Sequence, residues 1–252
     1  MEKLIVIGWD VGGWMGSNNG FSIIEYDYQS HSFEWKGKSV ELSIPDHSLF
    51  SLDYIIEKTD SLNIDLAEAK IIIAADAPLT YPKAFKELLE NQKNDFVKPD
   101  KEIYNPLAYR RTDRYIYEKF NKKPLSAVFD RLGTNASAAV VHIRKWMEER
   151  NFSLEPVIQN SSSKIIIEVY PALLKESKYA EAFEPIKSML PKDINKGTDA
   201  YDSALCALMG LAYDDKVKIE GLAKLVKAPE HDEEIREEGW IYHFPPEYLK
   251  KN

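Results

Sequence analysis

Three short apolar runs, each closing on an acid, restrict what this chain can fold into. The first is Ile5-Val6-Ile7-Gly8-Trp9-Asp10, continued by Val11-Gly12-Gly13-Trp14. The second is Ile71-Ile72-Ile73-Ala74-Ala75-Asp76, and the third is Ile165-Ile166-Ile167-Glu168. Runs of this length, rich in β-branched residues, read as strands buried in a sheet. A strand anchored in a core delivers its last side chain to the rim, where open α/β sheets bind their ligands.

The segments between these runs set the architecture. Residues 20–26, with 33–35 and 39–42, supply two more strands separated by polar turn residues, which with the first run predicts a three-strand antiparallel meander. Residues 46–62 carry a helical apolar rhythm at Leu49, Leu52, Ile55 and Ile56, and a helix before the second buried strand implies a crossover onto the same sheet. A mainly helical stretch spans about 82–152, interrupted at 91–106 and at Lys122-Lys123-Pro124. A strand follows at 163–169, then a helix opened by Gly197-Thr198 and running to about Tyr213, with an edge strand expected near 240–244. The expectation is one α/β domain over 1–252. It has a mixed sheet, antiparallel in one half and parallel in the other, flanked by helices and carrying the helical insertion.

Composition excludes several classes. The formal net charge is −8, so the surface as a whole does not attract nucleic acid, and any anionic ligand must be met locally. Tyr109-Arg110-Arg111-Thr112-Asp113-Arg114 is the best local candidate: Arg110, Arg111 and Arg114 can fork onto phosphate oxygens, or Arg111 and Arg114 can form an ion-paired helix start with Asp113 and Glu118. The single Cys206 lies in an apolar run and rules out an internal disulfide or a cysteine-based zinc site. The histidines show no metal-ligand spacing, and His142 reads as a packing or surface residue. With no signal-peptide segment and no apolar stretch of membrane length, a cytoplasmic protein is expected.

The acids carry the chemical argument. Asp199 and Asp202, three residues apart at the start of a helix, share one face. Each has a bland explanation as a capping or first-turn acid, just as Asp76 before Ala77-Pro78 has one as a turn former. Glu168 has less excuse, because glutamate suits neither strand nor turn and asks for a partner. Gathering Asp10, Asp76, Glu168, Asp199 and Asp202 would be costly through mutual repulsion, and a divalent cation is the simplest compensation. Mg²⁺ or Mn²⁺ takes oxygen ligands, and two such ions can drive phosphodiester cleavage with water as nucleophile.

In their order along the chain, Gly8-Trp9-Asp10-Val11-Gly12-Gly13-Trp14, Ala75-Asp76-Ala77-Pro78-Leu79, the arginine segment, Glu168-Val169-Tyr170-Pro171-Ala172 and Asp199-Ala200-Tyr201-Asp202-Ser203-Ala204 resemble family 429 of the domains of unknown function, regarded as predicted nucleases of the ribonuclease H-like superfamily. The resemblance spans nearly the whole chain. It implies a ribonuclease H-like fold with a central five-stranded mixed sheet and a metal site of Asp10, Asp76, Asp199 and Asp202. Glu168 matches a motif of less defined role, as a fifth ligand or an orienter of water, and Arg110, Arg111 and Arg114 would hold a phosphate of a nucleic acid or nucleotide substrate. Trp9 and the Trp14-Met15 pair are bulkier than the family's usual neighbours of the first acid, which predicts a narrowed approach to Asp10.

Two other readings stay open. Actin-like and sugar-kinase proteins share this architecture and also open with an acid and glycines that approach phosphate, although this chain lacks the second glycine-rich loop and the length for a repeated domain. A non-catalytic ribonuclease H-like binding domain is the other.

Overall fold

The apolar runs form the middle of a mixed sheet. In a computed structural model describing residues 2–15, 19–92, 96–129, 132–161 and 163–249, β1 (Lys3–Asp10) pairs antiparallel with β2 (Asn19–Asp27), and β2 with β3 (Ser32–Leu42). The chain crosses through α1 (Leu52–Lys58) to β4 (Lys70–Asp76), which lies parallel to β1. Then come α2 (Lys83–Leu89), α3 (Arg111–Phe120), α4 (Leu132–Arg150), β5 (Ser153–Leu154) and β6 (Lys164–Val169), the last parallel to β4. The remaining elements are α5 (Ala180–Ser188), α6 (Asp199–Tyr213), α7 (Glu233–Glu238), β7 (Ile241–Tyr242) and α8 (Pro246–Leu249).

Among the described residues the sheet has seven strands in the order β3-β2-β1-β4-β6-β5, with β7 also on β6, rather than five. The two extra strands are two-residue segments sharing one edge of β6: β5 lies beside Ile165 and Ile166, and β7 beside Glu168 and Val169. β7 falls within the tail expected to form an edge strand. Two residues such as Ser153-Leu154 carry no readable period, which is why β5 escapes a sequence reading. The first helix is also shorter than its apolar rhythm. Ser51 Oγ accepts the Tyr54 N–H at 3.1 Å and fixes the start, while the Thr59 hydroxyl bonds back to the Ile55 carbonyl at 2.9 Å and fixes the end.

Strand alternation sorts side chains onto two cores. Leu4, Val6, Ile72, Ala74, Ile165, Ile167 and Val169 pack on the face covered by α6. Ile5, Ile7, Trp9, Ile71, Ile73, Ala75 and Ile166 pack on the opposite face, against Ile143 and Trp146 of α4. α6 lies very close to the sheet because β1 and β2 present glycine beneath it. A Cβ at Gly8 would sit 2.0 Å from the Ser203 carbonyl oxygen, and one at Gly20 would sit 2.0 Å from that of Asp199. Any larger residue at either position would push the amino end of α6 off the strands. Among the described residues, no helix is long and apolar enough to cross a membrane.

Candidate active site

The same alternation places the acids. Asp10 and Asp76 are register partners on parallel strands, so their main chains lie about 4.8 Å apart. Their parity with Val6 and Ala74 turns both side chains toward α6. That helix starts directly above, held down on Gly8 and Gly20, and brings Asp199 and Asp202 in its first turn to the same strand ends. The capping role belongs to other residues. Thr198 Oγ1 accepts the Tyr201 N–H at 3.1 Å, and Glu41 at the end of β3 accepts the Asp199 N–H at 3.0 Å. The first-turn acids are therefore not consumed by the helix they begin.

These carboxylates are poorly satisfied. Among the described residues, no donor lies within hydrogen-bond distance of Asp10 or Asp76, and Asp202 Oδ1 is buried without a partner. Burial, followed by the charges of Asp76, Asp202 and Asp199, pushes the Asp10 carboxyl up to about 8. Asp76 is pushed up to about 7, chiefly by burial, with Asp202 and Glu168 adding to the rise and Lys175 opposing it. Asp199 is raised by burial, Glu41 and Asp202. Among the described residues the close cation is Lys175, whose Nζ lies 2.6 Å from Asp202 Oδ2. Cys206, on the buried side of α6, is kept a thiol by its burial and by the acids near it.

Glu168 has the opposite parity and takes a different role. It lies beside Ala75 in register and emerges with Ile166 on the face away from α6. There its Oε1 and Oε2 accept Arg110 Nη2 and Nη1 at 2.6 and 2.7 Å, and Oε2 also accepts the Leu79 N–H at 3.0 Å. It is Glu168, not Asp76, that ties down the turn after β4. Burial raises its carboxyl and the Arg110 charge works against that rise.

The expected phosphate clamp at Arg110 is corrected by the same contacts. Arg110 is fully buried, and every nitrogen of its guanidinium is engaged: Nε goes to Asp113 Oδ2, Nη1 to Thr80 and Glu168, and Nη2 to Asp113 Oδ1 and Glu168. Nothing remains for a phosphate. Arg111 Nε lies 3.5 Å from Asp232 and its backbone N–H donates to Glu238 at 2.6 Å, while Arg114 pairs with Glu234 rather than Glu118. The segment is the ion-paired start of α3, joined to β6 and α7.

A cleft of about 240 Å³ opens between these groups. Asp10 and Asp76 line it together with Glu168 and Arg110, and Pro78, Leu125, Val169 and Tyr170 supply apolar lining. The bulky residues near Asp10 do not narrow it. Trp9 is 0% exposed on the far face, stacked on Phe21 and packed against His142 and Trp146, with its Nε1 donating to Asn19 Oδ1 at 3.1 Å. Trp14 is fastened to α4 through Ser137 at 2.9 Å, and Met15 is 88% exposed. Asn19 Oδ1 also takes the Gly12 N–H at 2.9 Å, so that amide is not open to a phosphate as a nucleotide-binding loop would require. His142 is buried in the aromatic cluster, its ring held below its usual pKa by burial.

Lys175 and Glu41 went unnoticed in the sequence. Lys175 is the first charged residue after the run Val169 to Leu174, and Glu41 is an outward residue closing β3, but nothing local connects either one to α6.

The donor set suits a hard divalent ion in kind, being carboxylate oxygens of which, among the described residues, only Asp202 Oδ2 has a donor, Lys175. As the side chains stand, no three His, Cys, Asp or Glu among the described residues converge on a single ion position. Comparison of the chain with protein-family models, characterised proteins and solved structures finds no match. Function has to be read from the site itself.

Proposed function

We propose that this chain is a metal-dependent phosphodiester hydrolase of the ribonuclease H-like type, acting on a nucleic acid or nucleotide. Asp10, Asp76 and Asp202 would hold Mg²⁺ or Mn²⁺, with Asp199 at the margin. The observation that carries the reading is the placement of two register-paired strand-end aspartates and a first-turn aspartate of α6 at one end of the sheet, with one oxygen of Asp202 left unpartnered. Half-buried acids gathered around a single lysine are costly to keep ionised, and here helix capping and turn formation are done by Thr198, Glu41 and Glu168 instead. The antiparallel β1–β2–β3 half and the parallel β4 and β6 agree with the fold that the resemblance to family 429 implies.

The chemistry such an ion supplies when bound is polarisation of the phosphoryl group and a lowered pKa for water. The chain's own contribution is positional. β1 and β4 hold Asp10 and Asp76 in register on paired backbone, and Pro78, Leu125 and Val169 give the cleft beside them an apolar lining. Burial and the nearby Asp76 charge keep the Tyr170 hydroxyl protonated, so it can donate a hydrogen bond to an anionic oxygen.

The test is Mn²⁺ titration calorimetry together with hydrolysis of single- and double-stranded DNA and RNA oligonucleotides. Wild type should bind Mn²⁺ and cleave at least one of them, and Asp10→Asn and Asp202→Asn should each lower the rate about 10³-fold, equivalent to about 4 kcal/mol of barrier. Absence of Mn²⁺ binding by wild type would end the proposal.

A further inference from the structure

Among the described residues Lys175 is the cation that meets these acids, and its placement is specific. The backbone around it is anchored on either side: Leu174 is buried in the α6-side core, and Glu176 pairs with Lys122, whose Nζ also reaches the Ala172 carbonyl. The flexible stem carries the ammonium from that anchor to Asp202 Oδ2 at 2.6 Å, and its charge also acts on Asp10 and Asp76. One positive charge thus serves three acidic side chains.

Asp202 shows the imbalance most clearly. One oxygen takes the ammonium while the other, Oδ1, is buried with no partner. A purely structural lysine–aspartate pair at a surface would leave its second oxygen to solvent. The Lys175 side chain is 36% exposed and that of Asp202 only 21%, so the lysine can swing out to water while the acid stays in place. The ammonium's head is well hydrated when free, which makes its departure easier than that of a buried guanidinium.

We infer that Lys175 is an internal counter-ion that a divalent cation must displace from Asp202, so that this side chain sets the metal affinity of the site. The inference rests on the metal-dependent reading of these acids. It follows from charge and competition together: the ammonium occupies one ligand oxygen and repels any incoming cation. Arg110, by contrast, has no such exchange open to it, since its guanidinium is fixed on both sides.

The experiment is Mn²⁺ titration calorimetry on Lys175→Met, which keeps the stem and removes the charge, beside Lys175→Arg and wild type. Lys175→Met should bind Mn²⁺ at least about tenfold more tightly than wild type, within the range that groups around a metal's ligands command, and Lys175→Arg should stay within about threefold. Wild-type binding with an unchanged or weakened constant in Lys175→Met would overturn the inference and leave the metal reading standing. No Mn²⁺ binding by either protein would overturn both. Lys175→Gln, with folding checked by circular dichroism, serves the same comparison if the methionine variant does not fold.

Discussion

At the end of β6, Glu168 meets a guanidinium fork and a backbone amide, and its partner Arg110 is closed on the other side by Asp113. One strand away, at the end of β4, Asp76 meets no donor among the described residues and sits beside Asp10 in the same condition. Both groups are carboxylates delivered to the rim of one sheet by buried β-branched strands. They differ by one step in strand parity, which sends Glu168 to the α4 side and the aspartates to the α6 side. Where every polar atom is matched, a buried charge cluster fixes structure; where the atoms are left over, the cluster is available for a ligand.

The matched cluster should be the more costly to break. Arg110→Met strips the cation from Glu168 and Asp113 and leaves two buried carboxylates facing each other. A loss of about 3–5 kcal/mol of unfolding free energy is expected, read from guanidinium chloride denaturation. The double variant Arg110→Met with Glu168→Gln should recover part of that loss, because one of the stranded charges is removed with its partner. A loss below about 1 kcal/mol for Arg110→Met would mean that the cluster is open to solvent, and the contrast with the aspartates would disappear.

The unmatched cluster should respond in the opposite direction. The Asp10 carboxyl lies near 8 in the folded chain, above its usual value of about 4, so between those values the native state holds a proton that the unfolded chain has released. Unfolding free energy therefore falls as pH rises from about 4 to about 8, and is fully restored below about 4. Asp10→Asn removes this slope. At pH 8 without divalent ions the variant should be about 1–3 kcal/mol more stable than wild type, since each tenfold change in proton affinity is worth about 1.4 kcal/mol. The difference should vanish near pH 4, and Mn²⁺ should reverse its sign at pH 8. Thermal melts over this pH range check it, and a variant less stable than wild type at pH 8 would show that Asp10 has a structural partner after all.

Much of this contrast was legible in the sequence, and the missing parts share one cause. The apolar runs announced β1, β4 and β6, and the three-residue spacing put Asp199 and Asp202 on one helix face. The run Ile165-Ile166-Ile167 also said that Glu168 needed a partner, but not on which side of the sheet. Parity is decided only when β6 is set against β4, and register is a long-range property. Arg110 looked like a phosphate fork for the same reason: a guanidinium's partners, 58 residues away for Glu168, are invisible to local spacing. Lys175 and Glu41 also reach α6 across long separations, and the two-residue β5 and β7 exist only because β6 offers them an edge.

The smallest effects should come from the arginines that lie outside both clusters. Arg111 Nε is 3.5 Å from Asp232 with its side chain 37% exposed, and Arg114 pairs with Glu234 on the α7 side, away from the aspartates. An exposed pair such as Arg111–Asp232 contributes about 0–1 kcal/mol, because solvent screens the attraction and the long side chains lose freedom in forming it. Arg111→Ala should therefore change unfolding free energy by less than about 1 kcal/mol, and neither Arg111→Ala nor Arg114→Ala should change the hydrolysis rate by more than about threefold. The activity measurement is the sharper of the two. If either variant raised KM about tenfold with kcat unchanged, that arginine would be holding substrate in the ground state, and the α3 end of the cleft would belong to the binding site rather than to the scaffold.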